Sequence, residues 1–141
     1  MMRGTVTVGM AAAVVVGAVG ADVLLSACGG GSPTGPTDTP TLTVALTSTG
    51  PEPATVRGPH EGPFTVTFVN RDSRPHQVRS DPHPADNNCT DLNIGVLAPG
   101  QSMETPDLQG CFVIYGRFTD RLTYHDEASL DDPRFQGTIQ R

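Results

Sequence analysis

The feature that most restricts the fold is a two-residue alternation of apolar side chains that begins at residue 42. It is clearest in Leu42–Leu46 and Phe64–Phe68, where every second residue is large and apolar. Successive side chains of a β-strand point to opposite faces, so this pattern predicts strands with one buried face. Shorter candidate strands follow at His76–Ser80, Asn93–Ala98, Ser102–Thr105, Cys111–Tyr115, Leu122–Asp126 and Gln136–Gln140. Turn dipeptides separate many of them and no convincing helix is present, which predicts an all-β antiparallel sandwich or barrel.

Residues 1–41 follow a different pattern. Arg3 precedes an uncharged run, Gly4–Ala21, that is rich in Ala, Val and Gly, as in the signal peptide of an exported protein. Leu25–Cys28 then resembles the lipobox of bacterial lipoproteins, in which a peptidase cuts before a Cys whose thiol is diacylated. The sequence therefore predicts a lipoprotein signal peptide at 1–27, a lipidated Cys28 with a flexible linker at 28–41, and one folded domain at 42–141.

Lipidation would determine where the protein acts, because several acyl chains together anchor a protein lastingly. The predicted location is the cell envelope, on the outer face of the plasma membrane or in the periplasm, with the membrane as a partner through the anchor. Asp22 interrupts the apolar segment, and two alternatives therefore stay open. An ordinary signal peptidase could cut after Val19–Ala21 and leave Cys28 as a free thiol, or the segment could remain as an uncleaved anchor.

Charge and motifs restrict the function further. The chain has 15 acidic residues against nine basic ones, a formal net charge of −6, which argues against a nucleic-acid partner. It contains no phosphate-binding loop, nucleophile elbow or paired-cysteine metal motif. We therefore expect a binding protein rather than an enzyme, and the sequence names no protein or redox partner.

The chain has three cysteines, an odd number. With Cys28 assigned to the lipid, Cys89 and Cys111 remain, and in an oxidising exported setting a disulfide between them is expected. The bond would close a loop of about 23 residues and contribute roughly 3 kcal/mol to stability. The alternative is that one of the two is a thiolate ligand to a metal.

Three stretches carry a resemblance to a known family. The first is Phe64–Val78, FTVTFVNRDSRPHQV, which contains an N-x-D-x-x-x-H motif ending at His76. The second is the L-x-P-G turn in Leu97–Ser102, and the third joins Tyr124–Asp126 to Phe135–Ile139. Their order and spacing resemble those of cupredoxins. This resemblance implies a Greek-key β-sandwich with a copper site at one end, in which His76 is a ligand.

The sequence departs from that family where copper would be held. A blue-copper centre needs two His, one Cys thiolate and usually a weak axial Met. Asp126 stands near the position of the family's Cys, and Phe135 occupies the position of its Met. Neither Cys nor Met occurs after Cys111. Electron transfer through an ordinary blue-copper centre is therefore not expected.

A second version of the family resembles this sequence more closely. Some exported bacterial cupredoxin-like domains carry D-P-H-P, a downstream Cys, L-A-P-G-Q-S, and H-D-H before G-T-I. The matching residues here are Asp81–Pro84, Cys89, Leu97–Ser102, His125–Asp126 and Gly137–Ile139. Glu127 stands where that version has its second His.

These residues predict a metal site formed by His76, His83 and His125, with Asp126 or Glu127 as an oxygen ligand or a hydrogen-bonding partner of a His. Imidazole suits both Cu(II) and Zn(II), and the resemblance favours copper. The predicted function is that of an exported, membrane-anchored cupredoxin-like lipoprotein that binds copper through His.

Two other functions stay open. In the first, the histidines are left from an ancestral site, and the protein is a metal-free β-sandwich with a structural or protein-interaction role in the cell envelope. In the second, it is a redox protein with non-standard ligation of its metal.

Overall fold

A computed structural model of the chain describes residues 38–114 and 116–141, with only the backbone of Ile114. The predicted signal peptide, Cys28 and most of the linker lie outside these residues. Within the described ranges, no helix is long and apolar enough to cross a membrane.

The described chain is built from ten short strands and a few single turns of 3-10 helix. The strands are β1 (Thr41–Thr47), β2 (Gly50–Glu52), β3 (Thr55–Arg57), β4 (Thr65–Asn70), β5 (Val78–Ser80), β6 (Ser102–Glu104), β7 (Val113–Ile114), β8 (Arg117–Phe118), β9 (Arg121–Asp126) and β10 (Gln136–Gln140). One sheet has the order β2-β1-β4-β6 and the other β3-β10-β9-β5, while β7 and β8 form a separate hairpin. The predicted all-β Greek-key sandwich is confirmed.

The two sheets are mixed, whereas the alternation alone suggested antiparallel pairing. Strand β1 pairs with β4 in parallel, with Leu42 beside Val66 and Val44 beside Phe68. Strand β10 likewise pairs with β3 in parallel. Because β3 lies in the other sheet from β2 and β4, the chain crosses between sheets twice before it reaches β4, and it arrives there running in the direction of β1.

The segment Asn93–Ala98 is not the strand that the sequence predicts. It has one isolated bridge, between Leu97 and His76, and its remaining course is irregular. The side chain of Asn93 accepts a hydrogen bond from the amide of Ser80 and donates one to the carbonyl of Asp86. These side-chain bonds replace the ladder of a strand, since Asn readily bonds to nearby backbone.

The core lies between the two sheets. Phe68 on β4 meets Tyr124 on β9 edge to face, with ring centroids 5.2 Å apart, and both side chains are buried. Tyr124 lies opposite Gly137 on β10, and a Cβ at Gly137 would come within 2.1 Å of the Tyr124 ring. The glycine thus leaves room for the aromatic ring at the centre of the second sheet.

The predicted disulfide between Cys89 and Cys111 is confirmed, with their Cα atoms 5.0 Å apart. Cys111 lies in a 3-10 turn, Gln109–Phe112, rather than in the strand that the sequence predicts. The bond fastens the loop after β5 to this turn. Neither sulfur is therefore a free thiolate.

Candidate metal centre

Strand β9 separates two groups of His and acidic side chains. Tyr124 packs into the core against Phe68, and the strand alternation places Asp126 on the same inner face. His125 therefore points to the opposite, outer face of its sheet. It is nevertheless only 3% exposed, because loop residues after β5 cover it.

The inner group is centred on His76, which is 1% exposed. Its Nδ1 lies 2.9 Å from Oδ2 of Asp126, and its Nε2 lies 3.2 Å from Oδ2 of Asp72. The ring of Phe135 stacks on the imidazole, with centroids 5.9 Å apart. Both ring nitrogens of His76 are thus engaged, and one face of the ring is covered.

The two carboxylates of the inner group, Asp72 and Asp126, also accept hydrogen bonds from backbone amides. Oδ1 of Asp126 accepts a hydrogen bond from the amide of Gln77, and Oδ1 of Asp72 accepts one from the amide of Ser73. Burial acts to raise the pKa of the Asp72 carboxyl, but hydrogen bonds from Ser73, His76 and Arg74 outweigh it and hold that pKa below its ordinary value. The inner group is therefore a completed hydrogen-bond network.

The turn beside His76 is braced by the Asn of the sequence motif. The Nδ2 of Asn70 donates to the carbonyl of Arg74 at 2.7 Å and to that of Leu97 at 2.8 Å. Its Oδ1 accepts from the amide of Asp72. Asn70 thus joins the loop that carries His76 to the L-x-P-G turn.

A blue-copper ion does not fit the residues around His76. By the sequence resemblance, Asp126 stands near the position of the family's Cys thiolate and Phe135 at the position of its axial Met. In the inner group His76 contributes one imidazole beside two carboxylates, whereas a blue-copper centre needs two His. Cys89 and Cys111 supply no thiolate, because they are bonded to each other.

The outer group consists of His83, Asp86, His125 and Glu127. Each offers one ligand atom, and these four atoms all lie within 4.8 Å of one another. Nε2 of His125 lies 3.3 Å from Oε2 of Glu127 and 3.7 Å from Oδ1 of Asp86. Nδ1 of His83 lies 3.6 Å from Oε2 of Glu127 and 3.8 Å from Oδ1 of Asp86.

Local bonds place the loop over His125. Oδ1 of Asp81 lies 2.7 Å from Nδ1 of His125. The amide of Asp86 donates to the carbonyl of Pro82, and that of Asn88 donates to the carbonyl of Asp81. This tight turn puts His83 and Asp86 beside the end of β9.

The structure therefore gathers two of the three predicted histidines. His83 and His125 belong to the outer group, whereas His76 lies in the inner one and its role as a ligand stays a prediction. Of the two acidic candidates, Glu127 joins the outer group and Asp126 the inner one. Asp81 and Asp86 are not among the residues predicted from the sequence, although their spacing around His83, D-P-H-P-A-D, is a signal that could have identified them.

The two four-stranded sheets and their connections define a cupredoxin-like β-sandwich. Reduced auracyanin from the photosynthetic bacterium Roseiflexus castenholzii matches it with a TM-score of 0.50 at 12% identity, over 72% of this chain and 96% of that one. A purple cupredoxin from Nitrosopumilus maritimus matches at 0.49 and 17% identity, over 70% of this chain and 97% of that one. Amicyanin from Paracoccus versutus matches at 0.48 and 14%, over 76% and 84% of the respective chains. No protein-family model and no curated protein matches the chain.

Proposed function

We propose that this protein is an exported, lipid-anchored module of the cell envelope that binds copper through imidazole side chains and does not transfer electrons through a blue-copper centre. The observation that carries the proposal is the outer group, in which His83 and His125 face two carboxylates within one small volume. Imidazole nitrogen and carboxylate oxygen are suitable ligands for Cu(II). The role is binding without turnover.

The absence of an available thiolate among the described residues supports the second half of the proposal. The thiolate is part of the ligand set that defines a blue-copper site. Here the two described cysteines are joined, and Asp126 stands near the position of the family's Cys. We therefore expect bound Cu(II) to absorb only weakly in the visible range.

The test is the metal content of protein purified from its native envelope, followed by titration with Cu(II). We expect one copper ion per chain and an electron paramagnetic resonance spectrum of a site with nitrogen and oxygen ligands. Failure to bind at micromolar Cu(II) would contradict the proposal. An intense visible band would instead favour a redox protein with unusual ligation.

Anchoring rests on the lipobox at Leu25–Cys28 and is tested separately. Mass spectrometry of the N-terminus should find Cys28 as the first residue, carrying acyl chains. An N-terminus at Asp22 would contradict lipidation and would indicate cleavage by an ordinary signal peptidase.

A metal-free role as a structural or protein-interaction domain is the second candidate. It is favoured by the inner group, in which both nitrogens of His76, the residue that the resemblance makes a copper ligand, contact carboxylate oxygens of Asp126 and Asp72. Metal analysis that finds no ion, together with partners recovered by cross-linking in the envelope, would support this role instead.

A further inference from the structure

We propose that the metal is held at a site that is not the family's copper position. Its ligands are His83, Asp86, His125 and Glu127, on the outer face of the second sheet. The inference rests on the proposed function, because it specifies where the metal binds. It excludes His76 from the ligand set.

The distances within the outer group approach those between the ligands of one metal ion. Four nitrogen-to-oxygen distances link the four ligand atoms in a circuit, and they run from 3.3 to 3.8 Å. With bonds of about 2.0–2.1 Å to nitrogen and oxygen, neighbouring ligands of a tetrahedral ion are about 3.3–3.4 Å apart. The longest of these four distances exceeds that value by about 0.5 Å, and the other two pairs of ligand atoms lie within 4.8 Å, so the four side chains would have to move inward to bind one ion.

An unpartnered atom provides independent support. Oδ1 of Asp86 is buried and has no hydrogen-bond partner, although the rest of the side chain is partly exposed. A buried oxygen without a partner is costly, so such an atom calls for an explanation. A cation between His83 and His125 would supply the missing interaction. The carboxylates around His76, by contrast, each accept hydrogen bonds from several donors.

Asp81 acts as a positioning residue for His125. Its Oδ1 lies 2.7 Å from Nδ1 of His125 and holds that side of the ring. Nε2, on the other side of the ring, is turned toward Glu127 at 3.3 Å and Asp86 at 3.7 Å, where a cation would replace its contact with Glu127. Carboxylate–imidazole–metal arrangements of this kind are common in metal sites, and their loss weakens metal binding about 10–100-fold.

The ligand set also indicates the class of metal. Two imidazoles and two carboxylates suit a divalent transition metal, whereas Ca²⁺ and Mg²⁺ require mostly oxygen ligands. Among transition metals, Cu(II) binds a given nitrogen and oxygen site more tightly than Zn(II). We therefore infer a site that prefers Cu(II), accepts Zn(II) and discriminates against Ca²⁺.

The test is titration of the full chain, purified from the envelope in detergent, with Cu(II) buffered by glycine. The variants His83→Gln, Asp86→Asn and Glu127→Gln each remove one ligand and keep a similar shape. Each should weaken Cu(II) binding at least tenfold with little change in the thermal midpoint of the metal-free protein. Asp81→Asn should also weaken binding about tenfold, with an altered Cu(II) paramagnetic resonance spectrum.

Matched controls distinguish the loss of a metal ligand from the mere loss of a charged or imidazole side chain. Asp131→Asn removes one exposed carboxylate and His60→Gln one exposed imidazole, both outside the group, and neither should change affinity. His76→Gln should retain Cu(II) binding. If the chain binds Cu(II) but only His76→Gln abolishes binding, the site inference fails while the proposed function stands. If the unmodified chain does not bind Cu(II), the proposed function itself fails.

Discussion

The disulfide is predicted to stabilise both the sandwich and the loop over the outer group. The double substitution Cys89→Ala, Cys111→Ala would remove a bond between residues 22 positions apart. In the chain-entropy model, a loop of this length corresponds to about 11 cal/mol/K, or about 3 kcal/mol at 25 °C. Both cysteines are nearly buried, and Ala is small and apolar, so packing should change little beyond the lost sulfurs.

This loss can be measured as a shift in thermal unfolding. The entropy of unfolding is about 2.1 cal/mol/K per residue, or about 0.2 kcal/mol/K for a domain of roughly 100 residues. A loss of 3 kcal/mol then lowers the midpoint by about 15 °C. Circular dichroism during heating would record it, with dithiothreitol-reduced unmodified protein as the control, which should melt near the double variant.

The same variant should bind Cu(II) more weakly, because Cys89 fastens the loop that carries Asp81, His83 and Asp86. An unfastened loop must lose conformational freedom when the metal binds. A midpoint within about 2 °C of the unmodified protein would refute the argument that this bond constrains the chain. Two titratable thiols in the unfolded, unreduced domain would refute the bond itself.

Three other changes have defined outcomes. Gly137→Ala should destabilise the protein by about 1–3 kcal/mol in urea unfolding, because its Cβ would lie 2.1 Å from the Tyr124 ring. The control, Gly110→Ala, places its Cβ in open space and should have no such steric cost. Phe68→Ala should cost about 3–5 kcal/mol by the same assay, because the ring is fully buried between the sheets; a loss below about 1 kcal/mol would contradict that placement. The folded-state pKa of Asp72 is lowered, so its stabilisation is present above the ordinary Asp pKa near about 4 and is lost as the pH falls further. Asp72→Asn should therefore be less stable than the unmodified protein at pH 7, with the difference shrinking toward pH 2; an equal difference at both pH values would argue against this.

The strands with strong alternation could be predicted from the sequence almost residue by residue. Strand β10 has the predicted bounds, Gln136–Gln140, and β9 begins one residue earlier than predicted. Gly50–Glu52 and Thr55–Arg57 were missed because they are three-residue strands without a clear alternation. Asn93–Ala98 was predicted as a strand from its apolar residues, but side-chain bonds of Asn93 set its course instead.

The candidate site was harder to predict, and the reason is geometric. His125 and Asp126 are neighbours in the sequence, but strand alternation sends them to opposite faces of one sheet. The family resemblance identifies the histidines but not the sheet face on which each one lies. It therefore groups His76 with His125. Asp86 reaches the outer group through a tight turn whose hydrogen bonds could not be predicted from residue types alone.

The central claim is that a cupredoxin-like sandwich binds its metal on the outer face of one sheet instead of at the family's copper position. Anomalous X-ray diffraction at the copper edge, from crystals of the Cu(II)-loaded protein, tests it most directly. We expect one peak within about 2.0–2.2 Å of nitrogen or oxygen atoms of His83, Asp86, His125 and Glu127. A peak bonded to His76 would contradict it.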